Sequence, residues 1–243
     1  MKRTLLFITS FVLMVGYSSN DMVKNEQNLK NGPYVIYHSD GVREEGTHVN
    51  GKREGSYIWY SPNNTKIEEG TYKNDIREGP FTHYIGKSRR EGTYKNGIKE
   101  GPYVTYGFTG SYEKGTYKNS KREGPFTSQI SDGSTEKGTY KNDQRHGIYT
   151  YYTYLMNGQT STEEGIYQYG KREGRYSIDY SNGFRETGIY NNGVKEGEFV
   201  LSGDGNRIVG NNQNGVKEGP CVFYWNDGTT SNRMYRNGVL LPN

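Results

Sequence analysis

Few residues in this chain have chemistry to offer, and their spacing decides what that chemistry is. His38, His48, His83 and His146 share no metal-ligand spacing with one another or with Cys221, so no metal centre is expected. The glycines open no helix as a phosphate-binding loop would, and no serine stands in a nucleophile elbow. The glutamates recur at fixed steps, which makes any choice of two as an acid–base pair arbitrary. The expectation is a protein with no enzymatic activity and no cofactor. Cys221 is the only cysteine, which excludes an intramolecular disulfide. It stands in a slot that Tyr or Phe fills elsewhere, and reads as a buried replacement. What is left is aromatic: 24 tyrosines and two tryptophans, Trp59 and Trp225. Such rings can stack on a ligand or pack on one another while a polar tip makes a hydrogen bond.

The elements that must position these rings follow from the glycines. Glycines nine residues apart recur eight times: Gly46/Gly55, Gly70/Gly79, Gly92/Gly101, Gly115/Gly124, Gly138/Gly147, Gly165/Gly174, Gly188/Gly197 and Gly210/Gly219. A period of roughly 23 residues is too short for a unit to bury a core alone, so neighbours must stack. Each unit carries two turn signals. One is Asn-Gly or a near equivalent, as at Asn50-Gly51, Asn96-Gly97 and Asn192-Gly193; the other falls at Asp40-Gly41, Asp132-Gly133 and Asn182-Gly183. Two tight turns per unit predict two strands per unit, and hence an antiparallel β-meander.

Aromatics fill matching slots. Two residues after the first glycine stand Tyr72, Tyr94, Tyr117, Tyr140, Tyr167 and Tyr190; two after the second stand Tyr57, Phe81, Tyr103, Phe126, Tyr149, Tyr176 and Phe199. Residues two apart share a sheet face, so the rings predict one aromatic stripe with glycines beneath it. Beside it, a basic residue lies two places before each second glycine, from Arg53 to Lys217. A glutamate follows it in every unit but one, where His146 stands instead. These adjacent opposite charges read as solvated turn residues that keep the array soluble and discourage edge pairing.

The step of glycine, Tyr-x-Asn-Gly and a basic-acidic-Gly triplet resembles MORN repeats, closest to the variant form of bacterial proteins, some labelled antitoxin-like. The resemblance covers residues 32–238 and implies an all-β fold: an elongated, single-layer antiparallel meander of tandem hairpins, roughly 80 Å long. The antitoxin-like label implies an immunity-type role, and the family name implies contact with membrane phospholipid.

Outside the array, Lys2 and Arg3 precede a mostly apolar run from Thr4 to Val15, with small residues at Gly16 and Ser18. Residues 1–18 read as a signal peptide, residues 19–31 as a flexible leader and residues 239–243 as a C-terminal cap. The signal resembles that of a bacterial lipoprotein, but Tyr17 stands where the lipidated cysteine would be. The chain is therefore expected outside the cytoplasm, secreted or at the cell envelope, without a lipid. Losing Lys2 and Arg3 lowers the formal net charge from +4 by two, too weak a bias for nucleic acid.

These features predict an exported, non-enzymatic repeat protein that holds a protein partner on an extended surface. The alternatives are a glycan or cell-wall binder using Trp59 and Trp225, and a binder of anionic lipid. Eighteen residues separate Gly147 from Gly165, against 13 to 15 in the other units. The longer unit predicts a projecting hairpin or loop from Tyr149 to Met156, with Tyr149, Tyr151, Tyr152 and Tyr154 as binding candidates.

Overall fold

The computed structural model describes residues 30–155 and 158–242. The expected signal peptide, residues 19–29 of the leader and Met156 lie outside the described residues. Within them the chain forms one open antiparallel sheet of 24 strands in meander order, with no helix. Pairing is sequential: Gly147–Tyr154 pairs with Thr160–Gln168, which pairs with Lys171–Tyr180, which pairs with Arg185–Asn191. The array starts slightly earlier than the sequence suggests. Lys30 O and Asn31 Oδ1 accept the Gly51 and Asn50 amides, the places a basic residue and its glutamate hold in later units.

The turns form where the dipeptides place them. Asn50, Asn74, Asn96, Asn119, Asn142, Asn192, Asn214 and Asn237 all take positive φ, a conformation that asparagine tolerates and most side chains resist. The two glycines of each pair serve different ends. The second, such as Gly101 at φ +80°, lies where the chain needs a left-handed residue; a Cβ there would meet nothing within 4 Å. The first gives room. A Cβ on Gly115 would lie 2.8 Å from the Tyr103 hydroxyl and 2.9 Å from its ring.

That close approach builds the core. Each ring after a second glycine lies over the first glycine of the adjoining strand, as Tyr103 lies across from Gly115 and Tyr176 from Gly188. It then packs on the tyrosine two places further along. The pairs Tyr57–Tyr72, Phe81–Tyr94, Tyr103–Tyr117, Phe126–Tyr140, Tyr149–Tyr167 and Tyr176–Tyr190 have centroids 4.5–4.8 Å apart. Tilted rings at this separation add about 0.5–1.5 kcal/mol per pair beyond the area they bury. A single layer can thus hold a core without a second sheet.

Cys221 and Arg233 follow the same rule in reverse. Arg233 pairs with Cys221 in the position where the other units place glycine against a ring. With a long side chain in the glycine slot, no ring fits opposite, and the small buried thiol takes its place. Burial raises the Cys221 thiol above its ordinary range.

The charges depart from the sequence expectation, because they are not simply solvated. The basic residues point onto the ring face and are half-buried. Arg53 lies 4.3 Å from the Tyr72 ring centroid and Arg122 4.2 Å from that of Tyr140. They meet a row of carboxylates two places before the first glycines: Glu44, Glu68, Glu113, Glu136, Glu163 and Glu186. Tyrosine hydroxyls donate to the same carboxylates, Tyr34 to Glu44 and Tyr103 to Glu113 at 2.7 Å, Tyr176 to Glu186 at 2.9 Å. Burial works to raise Glu186, but Lys195 and Lys217 outweigh it and hold the carboxyl below its usual range. The glutamates of the basic-acidic-Gly triplets have their own task. Each accepts the backbone N–H of the asparagine at the next turn, as Glu78 does from Asn96 at 2.7 Å and Glu123 from Asn142 at 2.9 Å. These rungs tie one unit to the next.

One carboxylate on the ring face lacks the hydroxyl of the ring on its adjoining strand. Phe126 stands where Tyr103 and Tyr149 stand in neighbouring units, and Oε1 of the buried Glu136 has no hydrogen-bond partner. Burial lifts the Glu136 carboxyl above its usual range, although Arg145 at 2.7 Å and the Tyr167 hydroxyl work against it. Phe126→Tyr would place a hydroxyl against that oxygen. The substitution is expected to stabilise the fold by about 1 kcal/mol, the net worth of a typical internal hydrogen bond. A higher denaturation midpoint with an unchanged slope would confirm it; an unchanged midpoint would mean that Glu136 is already satisfied by the Tyr167 hydroxyl or by water.

Candidate binding surface

The long unit forms a hairpin that continues the sheet. Beyond the pair Tyr149/Gly165, strands Gly147–Tyr154 and Thr160–Gln168 stay in register to Tyr154/Thr160, and Leu155 N donates to Gln159 O at the end. The preceding hairpin closes earlier, where Ile130 N donates to Ser134 O. Two additional residues per strand carry the long hairpin about 7 Å further. Its tip is held from both sides: Tyr154 N donates to Ser134 Oγ at 3.3 Å and Thr160 N to Ser181 Oγ at 2.9 Å.

Strand alternation separates the candidate aromatics. Tyr149 is 1% exposed and belongs to the ring stack over Gly165, so it is core and offers no surface. Its place in the repeat register is the reason: it is the ring two residues after a second glycine. Tyr151 faces the same way, half-buried, with Arg172 5.9 Å from its ring centroid. Tyr152 and Tyr154 point to the opposite face, ring edge to ring face at 5.2 Å, and Tyr154 is 53% exposed. Trp59 is on the ring face, several strands away. Arg77 covers it at 4.7 Å, His38 lies 5.3 Å off, and its buried Nε1 finds no acceptor. Trp225, near the far end, is exposed and stacks on Phe223 at 5.6 Å. The six residues do not converge on one site.

A different group does converge around the long hairpin. On the face that carries Tyr152 and Tyr154, Ile148 pairs directly with Ile166; they are 74% and 48% exposed. In four other units this pair is proline and threonine: Pro33/Thr47, Pro80/Thr93, Pro102/Thr116 and Pro125/Thr139. Next to it the rung between units changes too. His146 stands in place of glutamate and Tyr169 in place of asparagine, with ring centroids 6.5 Å apart. Tyr169 is 75% exposed and holds φ +50°, which costs a bulky L residue on the order of 1 kcal/mol. Two shallow cavities of about 390 and 150 Å³ meet at His146; Ile166 lines the larger and Tyr169 the smaller. Lys137, Lys141, Lys171 and Arg175 are exposed on the same sheet face, as are the carboxylates Glu164 and Asp179, the latter paired with Arg185 at 3.1 Å.

Sequence reasoning passed over Ile148, Ile166 and Tyr169, although each breaks its own repeat column. Aligning the exceptions with one another, and not only with the consensus, would have gathered them around His146. Among the described residues no group of three or more His, Cys, Asp and Glu is placed to hold a metal ion.

The MORN repeat family model matches the chain over residues 137–152 and 213–230, and the first of these segments runs through His146 and Ile148. No curated protein matches the chain.

Proposed function

From the premise that the chain is a MORN repeat protein, we propose that it is an exported, non-enzymatic scaffold that binds a protein partner through the apolar face of its long hairpin. The observation that carries this reading is the exposed Ile148/Ile166 pair, continuous with Tyr152 and Tyr154, where four other units put Pro and Thr. Exposed apolar side chains grouped on one face and rimmed by charge are typical of interaction sites. A single-layer sheet suits such a role, because it offers extended surface without a deep pocket.

The test is affinity capture with the tagged chain and with an Ile148→Pro/Ile166→Thr variant. That variant carries the Pro/Thr pair that the preceding unit and three others already hold, so its fold is expected to persist. One protein recovered near stoichiometry by the native chain and lost from the variant is the expected outcome. Equal recovery by both would remove the hairpin face from consideration.

The glycan reading has its own support in Trp225, whose exposed ring could stack on a sugar; Trp59, covered by Arg77, has less to give. An eluate of envelope polysaccharide that disappears with Trp225→Ala would move the assignment there. Binding to anionic vesicles that fades with salt would instead favour lipid.

A further inference from the structure

At seven rungs of the array a glutamate carboxylate accepts the backbone N–H of the asparagine that opens the next turn, at 2.6–3.0 Å. At the first rung Asn31 Oδ1 does so. At the rung of the long hairpin no carboxylate of the described residues takes this place. His146 replaces the glutamate, and no side chain of the described residues accepts the Tyr169 N–H. The turn nevertheless keeps its shape: Gly170 N donates to Arg145 O at 2.9 Å, as Gly193 N does to Arg172 O at 2.8 Å. A place built around a carboxylate is thus preserved in backbone geometry and left without one.

We propose that this notch receives a carboxylate from the protein partner. An Asp or Glu side chain of the partner occupies the position of the absent glutamate and accepts the Tyr169 N–H beside His146. An aliphatic or aromatic neighbour in the same segment packs on Ile148 and Ile166. The inference rests on the proposed role of the hairpin face and adds the chemistry of the partner.

Two observations agree on a carboxylate from outside the array. The nearby carboxylates of the array are engaged elsewhere, Asp143 accepting Arg122 N at 2.9 Å, Glu173 accepting Asn192 N at 2.9 Å and Asp179 pairing with Arg185 at 3.1 Å. Tyr169 holds a positive φ that asparagine would hold at less cost, and its ring is kept exposed beside the notch. Backbone strain retained at an exposed site is a pointer to function.

The experiment uses fluorescein-labelled peptides that differ only in one residue beside a leucine: aspartate, asparagine or lysine. Binding to the full chain is followed by fluorescence anisotropy. The aspartate peptide should bind about tenfold more tightly than the asparagine peptide, the difference expected of a hydrogen bond to a charged group. Rising salt should weaken it. The decisive variant is His146→Glu/Tyr169→Asn, which restores the standard rung. It should raise the denaturation midpoint and yet abolish the preference for aspartate, so that lost binding cannot be blamed on misfolding. Equal binding of the aspartate and asparagine peptides, or a preference that survives the restored rung, overturns the proposal. If all three peptides bind equally and all are lost with Ile148→Pro/Ile166→Thr, the hairpin face still binds a partner and only the carboxylate is wrong. If none binds at millimolar concentration, the notch is not a peptide site.

Discussion

Gly115→Ala is expected to destabilise the array by about 1–3 kcal/mol, the cost of forcing a methyl group into a packed interior. The added Cβ would come within 2.9 Å of three atoms of Tyr103. That ring cannot turn aside. Its hydroxyl is held by Glu113 at 2.7 Å, Tyr117 packs on it at 4.6 Å, and the residue is 2% exposed. The Cys221/Arg233 pair shows how the conflict is relieved in this molecule: where the glycine slot is filled, the ring is given up. Tyr103→Cys alone should cost about 3–5 kcal/mol, as losing a buried aromatic does. The double variant should then be less destabilised than the sum of the two by 1 kcal/mol or more, given as roughly the coupling of residues in contact. Amide hydrogen exchange across residues 101–117 is the better readout, since an array can open locally before it unfolds as a whole. Strict additivity would mean that something other than the ring excludes the methyl group.

How legible was this in the sequence? The strands and turns were, because they depend on local chemistry. Asn-Gly fixes a hairpin turn wherever it falls, and rings at constant offsets from glycine can only line one face. The two roles of glycine were not separable, since Gly101 and Gly115 look alike in sequence. One is required by φ and the other by a ring on an adjoining strand, and only pairing reveals which. The charges were misread for a related reason. Lys-Arg-Glu-Gly is polar, and polar residues near a turn suggest solvent. Yet strand alternation puts Arg122 onto the ring face over Tyr140, while the neighbouring Glu123 reaches the Asn142 amide of the next unit. Among the candidate aromatics, Tyr149 followed the repeat into the core, whereas Tyr154 lay beyond the repeat register and stayed exposed. The surface around Ile148 was hidden because isoleucine in a strand is unremarked until the same place in four other units is known to hold a proline opposite a threonine.

The ring-face carboxylates should prove far more sensitive to substitution than the rung carboxylates. Glu68 is buried and accepts from Tyr57 at 2.7 Å, with Arg77 and His83 at 3.3 Å and Tyr94 at 3.5 Å. Glu68→Ala is expected to cost about 3–5 kcal/mol, because it strands the half-buried Arg77 and leaves the Tyr57 hydroxyl without its acceptor. Glu68→Gln keeps an acceptor for Tyr57 but removes the charge facing Arg77, and should fall between the alanine variant and the native chain. Glu100 provides the contrast. It is more exposed, and an amide oxygen in Glu100→Gln can still accept the Asn119 N–H, so that change should stay within about 0.5 kcal/mol. Equal midpoints for Glu68→Ala and Glu100→Gln in chemical denaturation would refute a structural role for the ring-face ladder. The origin of the loss can also be checked. If the penalty for Glu68→Ala comes from an orphaned cation, adding Arg77→Leu should recover part of it, since removing both partners of a buried pair costs less than removing one. If the double variant is instead worse than the single, Arg77 contributes chiefly through its packing on Trp59 and Tyr57, and the ladder is held by rings more than by charge.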